Sequence, residues 1–410
     1  MVPGAVSGGA QGGALKHALA LAGAAVAAAV VAFCVIPLGE DPGEVPAIVH
    51  GRAAASSRGQ GPLRAGAARV KIALGERPVL GGYPGHRRAE LPGEPVYARA
   101  LAVEAGGAQA FIANIDTVLI PGELEEEVLR RANLGPQTCL LLAATHTHSG
   151  PGGAWDNLLA GWAGAGAFDR EQRDAIAQAA AEALTTAGKS IRPAQLRAAR
   201  KEWPQGPAQL RSEGPIDPEL VAVEIPGVAT AIVYAMHPTS MPRAELRISR
   251  DWPGQLRDDA LLLQGAVGNA TWSGADPGRR VQSEAARILA GAETSSAISL
   301  ACETHLLALP RAQASRRVPF LLRRAASNLF ALALDRFAVQ TRLRIGPISL
   351  IGVPGEAVGE LGLRARPEVL VSFADGYIGY VETPERWQRG EGESSKTYFG
   401  PDLARALGLR

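Results

Sequence analysis

The densest chemical signal in the chain is Thr145-His146-Thr147-His148-Ser149-Gly150-Pro151-Gly152-Gly153. Neutral imidazole is the commonest protein ligand for metals. Two histidines two residues apart at the end of a strand point to one face. The Gly and Pro that follow mark the passage from strand to loop, where binding residues concentrate. Alone, such a pair equally describes two histidines that hydrogen-bond a loop. The pattern recurs, however. Apolar residues 229–236 run into His237-Pro238-Thr239-Ser240-Met241, and apolar residues 348–353 run into Pro354-Gly355-Glu356. Residues 369–373 are followed by Asp375-Gly376-Tyr377-Ile378-Gly379-Tyr380. Of the seven histidines, His146, His148 and His237 therefore sit at the ends of apolar strands. Histidine, glutamate and a phenolic oxygen form a ligand set suited to Zn2+.

The elements that must position these groups are legible from periodicity and turn signals. Residues 97–104 and 108–116 predict two strands joined by Ala105-Gly106-Gly107. Residues 220–225 and 229–236 predict a second hairpin around Pro226-Gly227, and residues 342–345 and 348–353 a third around Gly346-Pro347. Residues 123–132 and 169–187 read as helices, the second with Asp169 as N-cap, Gln172 three residues on and Gly188 at its end. Hairpins mixed with helices give a mixed α/β (α+β) class: a two-sheet, largely antiparallel or mixed core flanked by helices.

The 410 residues, 47% apolar and 20% charged, describe a folded globular chain with a sizeable core. A net charge of +2 gives no support to nucleic-acid binding through phosphate neutralisation. Of the three cysteines, Cys34 lies in an apolar run, and Cys139 and Cys302 read as two buried thiols rather than a disulfide. Residues 18–38 carry no charge and follow Lys16, a length that matches a membrane anchor better than a cleaved signal. The expected organisation is an anchor or signal segment over 1–38, a Gly/Ala/Ser/Pro-rich tether over 39–68 and a catalytic domain over 69–410. The body is expected to be exported, and to be secreted if the segment is cleaved. Arg316, Arg317, Arg323 and Arg324 flank Val318–Leu322. They fit a membrane-facing basic surface but read first as an ordinary solvated one.

Taken together, T-H-T-H-S-G-P-G-G, H-P-T-S-M, P-G-E, G-Y-x-G-Y-V-x-T-P-E-x-W and Tyr398-Phe399-Gly400-Pro401 resemble, in that order, the catalytic domain of the neutral (alkaline, non-lysosomal) ceramidases. Gly81-Gly82-Tyr83-Pro84-Gly85, Tyr97-Ala98-Arg99-Ala100-Leu101 and Gly214-Pro215-Ile216-Asp217-Pro218-Glu219-Leu220 add to the resemblance, which spans roughly residues 70–405. It implies a Zn2+ ion held by His146, His237, Glu356 and Tyr380, with Tyr377 the alternative phenol. It places His148 just outside the metal shell, hydrogen-bonded to the substrate, and Arg211 at a family arginine whose local match is weak. Thr271 falls where the family has a serine, Asn269 where it has an aspartate, and Gly392 where it has an active-site tyrosine.

The resemblance implies hydrolysis of an amide (N-acyl) bond in a ceramide-like lipid or other acyl amine by metal-activated water, with His148, Thr271 and Arg211 as catalytic candidates. Asn269 and Gly392 motivate the alternative, a catalytically impaired lipid- or partner-binding protein on the same scaffold. H-E-x-x-H and a G-x-S-x-G elbow at a strand-to-helix turn are both absent.

Overall fold

A computed structural model of the chain describes residues 26, 28–29, 32–38 and 43–409. The strands collect into three five-stranded sheets and two two-stranded ones. The first sheet is built from β2 (Arg64–Lys71), β3 (Tyr97–Ala105), β4 (Ala108–Ile115), β5 (Leu140–Ala144) and β6 (Arg192–Pro193) in the order β5-β4-β3-β2-β6. The second contains β7 (Leu196–Glu202), β9 (Glu219–Ile225), β10 (Ala229–Tyr234), β11 (Ala260–Gln264) and β13 (Thr294–Ser295) in the order β11-β10-β9-β7-β13. The third runs β1 (Ala55–Pro62), β14 (Ala297–Ala308), β15 (Phe337–Ile345), β16 (Ile348–Val353) and β18 (Val369–Ser372). The short ladders pair β8 (Ala208–Leu210) with β12 (Ala270–Trp272) and β17 (Glu356–Ala357) with β19 (Tyr380–Val381).

Side chains alternate across a strand, and here both faces of the sheets are used. Leu101 and Leu141 of the first sheet, Val223 and Leu263 of the second, and Leu300 and Leu350 of the third meet in one central core. Full burial of each such side chain contributes about 1.5–3 kcal/mol. The outer faces are covered by helices. Helices α1 (Gly122–Ala132) and α2 (Arg170–Lys189) cover the first sheet, and α3 (Pro277–Ala290) covers the second. Asp169 caps α2 by accepting from the Gln172 amide at 3.2 Å, as its sequence position predicts. With both faces occupied, strands such as β5 read as unbroken apolar runs.

The mixed α/β class and all three hairpins agree with the sequence reading. The core is divided among three five-stranded sheets rather than two. Residues 55–68, expected within the tether, are strand β1 and the first part of β2. As the edge strand of the third sheet, β1 buries none of its residues fully, so its Gly- and Ser-rich sequence imitates a linker. Cys139 and Cys302, expected as free thiols, form a disulfide with a Cα–Cα distance of 6.1 Å, joining the approach to β5 to strand β14. Sequence distance hid the pairing, since 163 residues separate two positions that face the same core. The expected anchor over 1–38 lies mostly outside the described residues. Among the described residues no helix is long and apolar enough to cross a membrane.

Each large sheet contains one parallel strand pair: β4 with β5, β10 with β11, and β16 with β18. The loops after β5, β10, β11, β16 and β18 carry the residues described next. Loops at the carboxyl ends of parallel strands are where open sheets hold their ligands.

Candidate metal centre

Strand β5 stops at Ala144, and His146 sits beyond it with φ +62°. His146 and His148 therefore converge through a left-handed turn and not as neighbours on one strand face. The turn is held by hydrogen bonds from the Thr145 and His146 amides to the Ile115 and Thr117 carbonyls, at 2.9 and 3.0 Å. His237 follows β10 and donates its amide to Ala270 at 3.3 Å. Glu356 opens β17, where it lies opposite Tyr380 of β19 in a parallel ladder. Asp375 ties the end of β18 to its neighbours by accepting from the Leu142 and Thr341 amides at 3.1 and 2.9 Å.

The tautomers follow from the backbone. Nδ1 of His146 donates to the Val118 carbonyl at 2.6 Å, which leaves a lone pair on Nε2. Nδ1 of His237 lies 2.9 and 3.0 Å from the carbonyls of Ala270 and Val267, so its Nε2 also carries a lone pair. That nitrogen lies 3.1 Å from Oε2 of Glu356, and His146 Nε2 lies 3.9 Å from the same oxygen. Burial drives the imidazole pKa values down, His146 to about 3 and His148 well below the ordinary value, so all three rings are neutral near pH 7. Burial acts to raise the Glu356 carboxyl, but the two histidines and Arg211 more than offset it and hold it below the usual carboxylate range. The 2.7 Å hydrogen bond from the Tyr377 hydroxyl to Oε1 further favours the anion.

Lone pairs and a carboxylate oxygen thus converge with no proton between them. Such an arrangement is repulsive unless a cation lies at the centre. The residues present therefore fit a bound metal ion. His146, His148 and His237 each bring a ring nitrogen within 4.8 Å of the others, so His148 belongs to the same cluster. Its Nε2 is 2.9 Å from Nε2 of His146, and its Nδ1 is buried without a partner.

The remaining sequence-selected residues take distinct places. Tyr380 accepts a 2.5 Å hydrogen bond from Arg211, whose guanidinium also reaches the Gly268 carbonyl at 3.1 Å. Burial and the nearby Glu356 push both tyrosine phenols well above their ordinary range. Thr271 is drawn less close: its hydroxyl lies 3.5 Å from that of Thr239, and it does not line the cavity over the cluster. Asn269 is a latch. Its Nδ2 donates to the Glu213 and Pro215 carbonyls at 3.1 and 3.0 Å, and its Oδ1 accepts from the Gly359 amide at 2.8 Å. Its own carbonyl receives the Arg211 amide at 3.0 Å, which links the latch to the site. Gly392 has φ +56°, and a Cβ there would meet Glu382 at 2.1 Å. A side chain here would have to displace the Glu382 carboxylate and hold a left-handed backbone.

A cavity of about 470 Å3 opens over the cluster, with His146, His148 and Glu356 at its base and Leu159, Trp162 and Phe330 among its apolar walls. A larger open groove of about 690 Å3 beside Lys71, Arg77 and Glu90 holds none of the cluster. Sequence reasoning missed Lys396, which lines the cavity with Nζ 4.6 Å from the Tyr380 ring centre and 2.7 Å from Glu393. It also missed Arg87, which donates to the His148 carbonyl at 3.4 Å. No strand-end pattern marks either residue, and only their position just before or after matched motifs could have drawn notice.

Comparison with known proteins supports the resemblance. Residues 94–213 match the family "Neutral/alkaline non-lysosomal ceramidase, N-terminal". Comparison with curated proteins finds no match. Neutral ceramidase from Pseudomonas aeruginosa superposes with a TM-score of 0.69 at 20% identity, covering 84% of this chain and 72% of that one. A ceramidase complexed with C2 gives a TM-score of 0.68 at 20% identity, over 84% of this chain and 73% of that one. The chain therefore resembles the neutral/alkaline non-lysosomal ceramidases in sequence across the segment that carries His146, His148 and Arg211, and has the fold of neutral ceramidase over most of its length.

Proposed function

We propose that the protein is a zinc-dependent hydrolase that cleaves the amide bond of a ceramide-like lipid or another acyl amine. One observation carries the reading: neutral imidazole nitrogens and an ionised carboxylate converge at the base of an apolar cavity. Its volume of about 470 Å3 is within the range of small-molecule sites. His146, His237, Glu356 and Tyr380 would hold the ion. Zinc supplies Lewis acidity and a water made nucleophilic near neutral pH. Tyr377 spends its hydroxyl on Glu356 and so orients that carboxylate. Arg211 donates to the Tyr380 oxygen and opposes the rise that burial imposes on its phenol. His148 lines the cavity beside the cluster, and the resemblance gives it the role of donating a hydrogen bond to the charge that develops on a carbonyl oxygen. The Cys139–Cys302 disulfide supports an oxidising, exported setting for the folded body.

Metal analysis of the purified protein, with a fluorogenic N-acyl amine series of increasing chain length, tests this reading. Stoichiometric zinc and turnover abolished by chelation are expected. Bound zinc without turnover of any amide in the series would instead favour the lipid- or partner-binding alternative.

A further inference from the structure

The lips of the cavity are apolar on the outside as well as within. One lip is the segment 157–168, which has no charged residue and exposes Leu158 and Trp162. The other is α4 (Phe320–Ala333), whose Leu329, Phe330 and Ala333 line the cavity. Leu321 and Leu332 are eleven residues apart, about three helical turns, and Leu322 and Leu329 are seven apart, about two. These leucines therefore lie along one side of the helix, and all are exposed. Leu158, Phe320 and Leu321 are 79–93% exposed, far more than a packed side chain allows. The Asn157 side chain donates to the Ala333 carbonyl, so the lips belong to one surface.

Two features identify what covers this surface. The first is charge: Arg316, Arg317 and Arg324 are exposed beside the apolar face, and no acidic residue occurs between Arg311 and Leu334. The second is the chain's own uncharged stretch, residues 18–38, whose described end is fastened to α4. Asn328, buried, donates to the Phe33 and Ile36 carbonyls at 2.6 and 2.8 Å and accepts from the Leu38 amide at 2.9 Å. An apolar face rimmed by arginines, continuous with an apolar chain end and with the mouth of an apolar cavity, matches the headgroup–acyl boundary of a bilayer. We propose that this face docks on an anionic membrane surface, with Leu158, Trp162, Leu321 and Leu332 entering the acyl boundary and Arg316 and Arg324 meeting the headgroups. A lipid substrate would then reach the cavity without crossing water. The docking itself does not depend on the metal chemistry, and His146→Ala should dock unchanged.

The test uses the full chain and vesicles of phosphatidylglycerol with phosphatidylcholine brominated on its acyl chains. Bromine quenches only tryptophan that reaches the acyl layer, so docking is read separately from any attachment through residues 18–38. Quenching is expected in the wild type and should vanish in Trp162→Phe. Leu321→Asp with Leu332→Asp should also abolish it without lowering the thermal unfolding midpoint, because both positions are exposed. Arg316→Gln with Arg324→Gln should weaken the docking equilibrium about fivefold per charge removed. Vesicle-bound protein with equal quenching in wild type and Trp162→Phe would overturn the proposal. So would equal quenching on vesicles of phosphatidylcholine alone, or a dimer in sedimentation that the paired leucine substitutions dissociate.

Discussion

Replacing His146 and His148 one at a time separates two roles that the sequence presents as equivalent. A tetrahedral zinc site with bonds of about 2.0–2.2 Å holds its ligand atoms about 3.3–3.6 Å apart. The His237–Glu356 and His146–Glu356 separations, 3.1 and 3.9 Å, bracket that spacing. The 2.9 Å between His146 and His148 is shorter than that spacing, so the two rings suit a shared metal shell less well. His146 is also the better anchored ring, with Nδ1 committed to Val118 and its face stacked 3.8 Å from Phe373. His146→Ala should therefore remove a ligand and lower zinc affinity by more than the 10–100-fold that loss of a supporting group costs. His148→Ala should keep zinc near stoichiometric and lower kcat by about 10²–10³, the cost of one oxyanion donor. Metal content by mass spectrometry, together with kcat on an N-acyl amine, reads both effects. Zinc retained in His146→Ala and lost in His148→Ala would refute the assignment. Zinc and activity retained in both would remove the site altogether.

Further expectations follow from the same geometry. Gly82 has φ +99°, and a Cβ there would lie 2.2 Å from the His148 Cα, so Gly82→Ala should displace His148. The variant should lower kcat and cost about 1–3 kcal/mol of stability by denaturant unfolding. Arg52, fully buried, pairs with Glu125 at 2.6 Å and lies 3.8 Å from Asp375. Burial raises both carboxyls, Glu125 to about 7, and Arg52 opposes the rise. A carboxyl pKa raised in the folded state means that folding binds protons, so this cluster stabilises less as pH climbs from about 4.5 toward 7. Arg52→Leu should cost about 3–5 kcal/mol, and its melting temperature should fall more steeply than the wild type's between pH 5 and 8. Asn269→Asp would set a carboxylate against the carbonyls of Glu213 and Pro215, at about 1–3 kcal/mol. It should loosen Arg211 and lower kcat with little change in zinc content.

Much of the site was legible because the groups that do chemistry terminate apolar strands. That grammar marked His146, His237, Glu356 and the Tyr377/Tyr380 pair, and local turn signals marked the hairpins and helices. These features depend on residues a few positions apart, so they are written in the order of the chain. What the chain order does not hold are contacts across sheets. The Cys139–Cys302 disulfide, the Arg52 cluster and the division into three sheets pair residues that lie far apart in sequence. Strand β1 reads as a tether in the sequence because an edge strand needs no apolar alternation to hydrogen-bond its neighbour. Even the two adjacent histidines needed the tertiary structure. A strand's alternation places both on one face, but the +62° turn at His146 sets its ring on Phe373 and its Nδ1 on Val118. Sequence by itself determined which residue types meet; the hydrogen bonds that His146 and His237 donate to distant backbone carbonyls decided which nitrogen of those rings faces the centre, and so what that centre can bind.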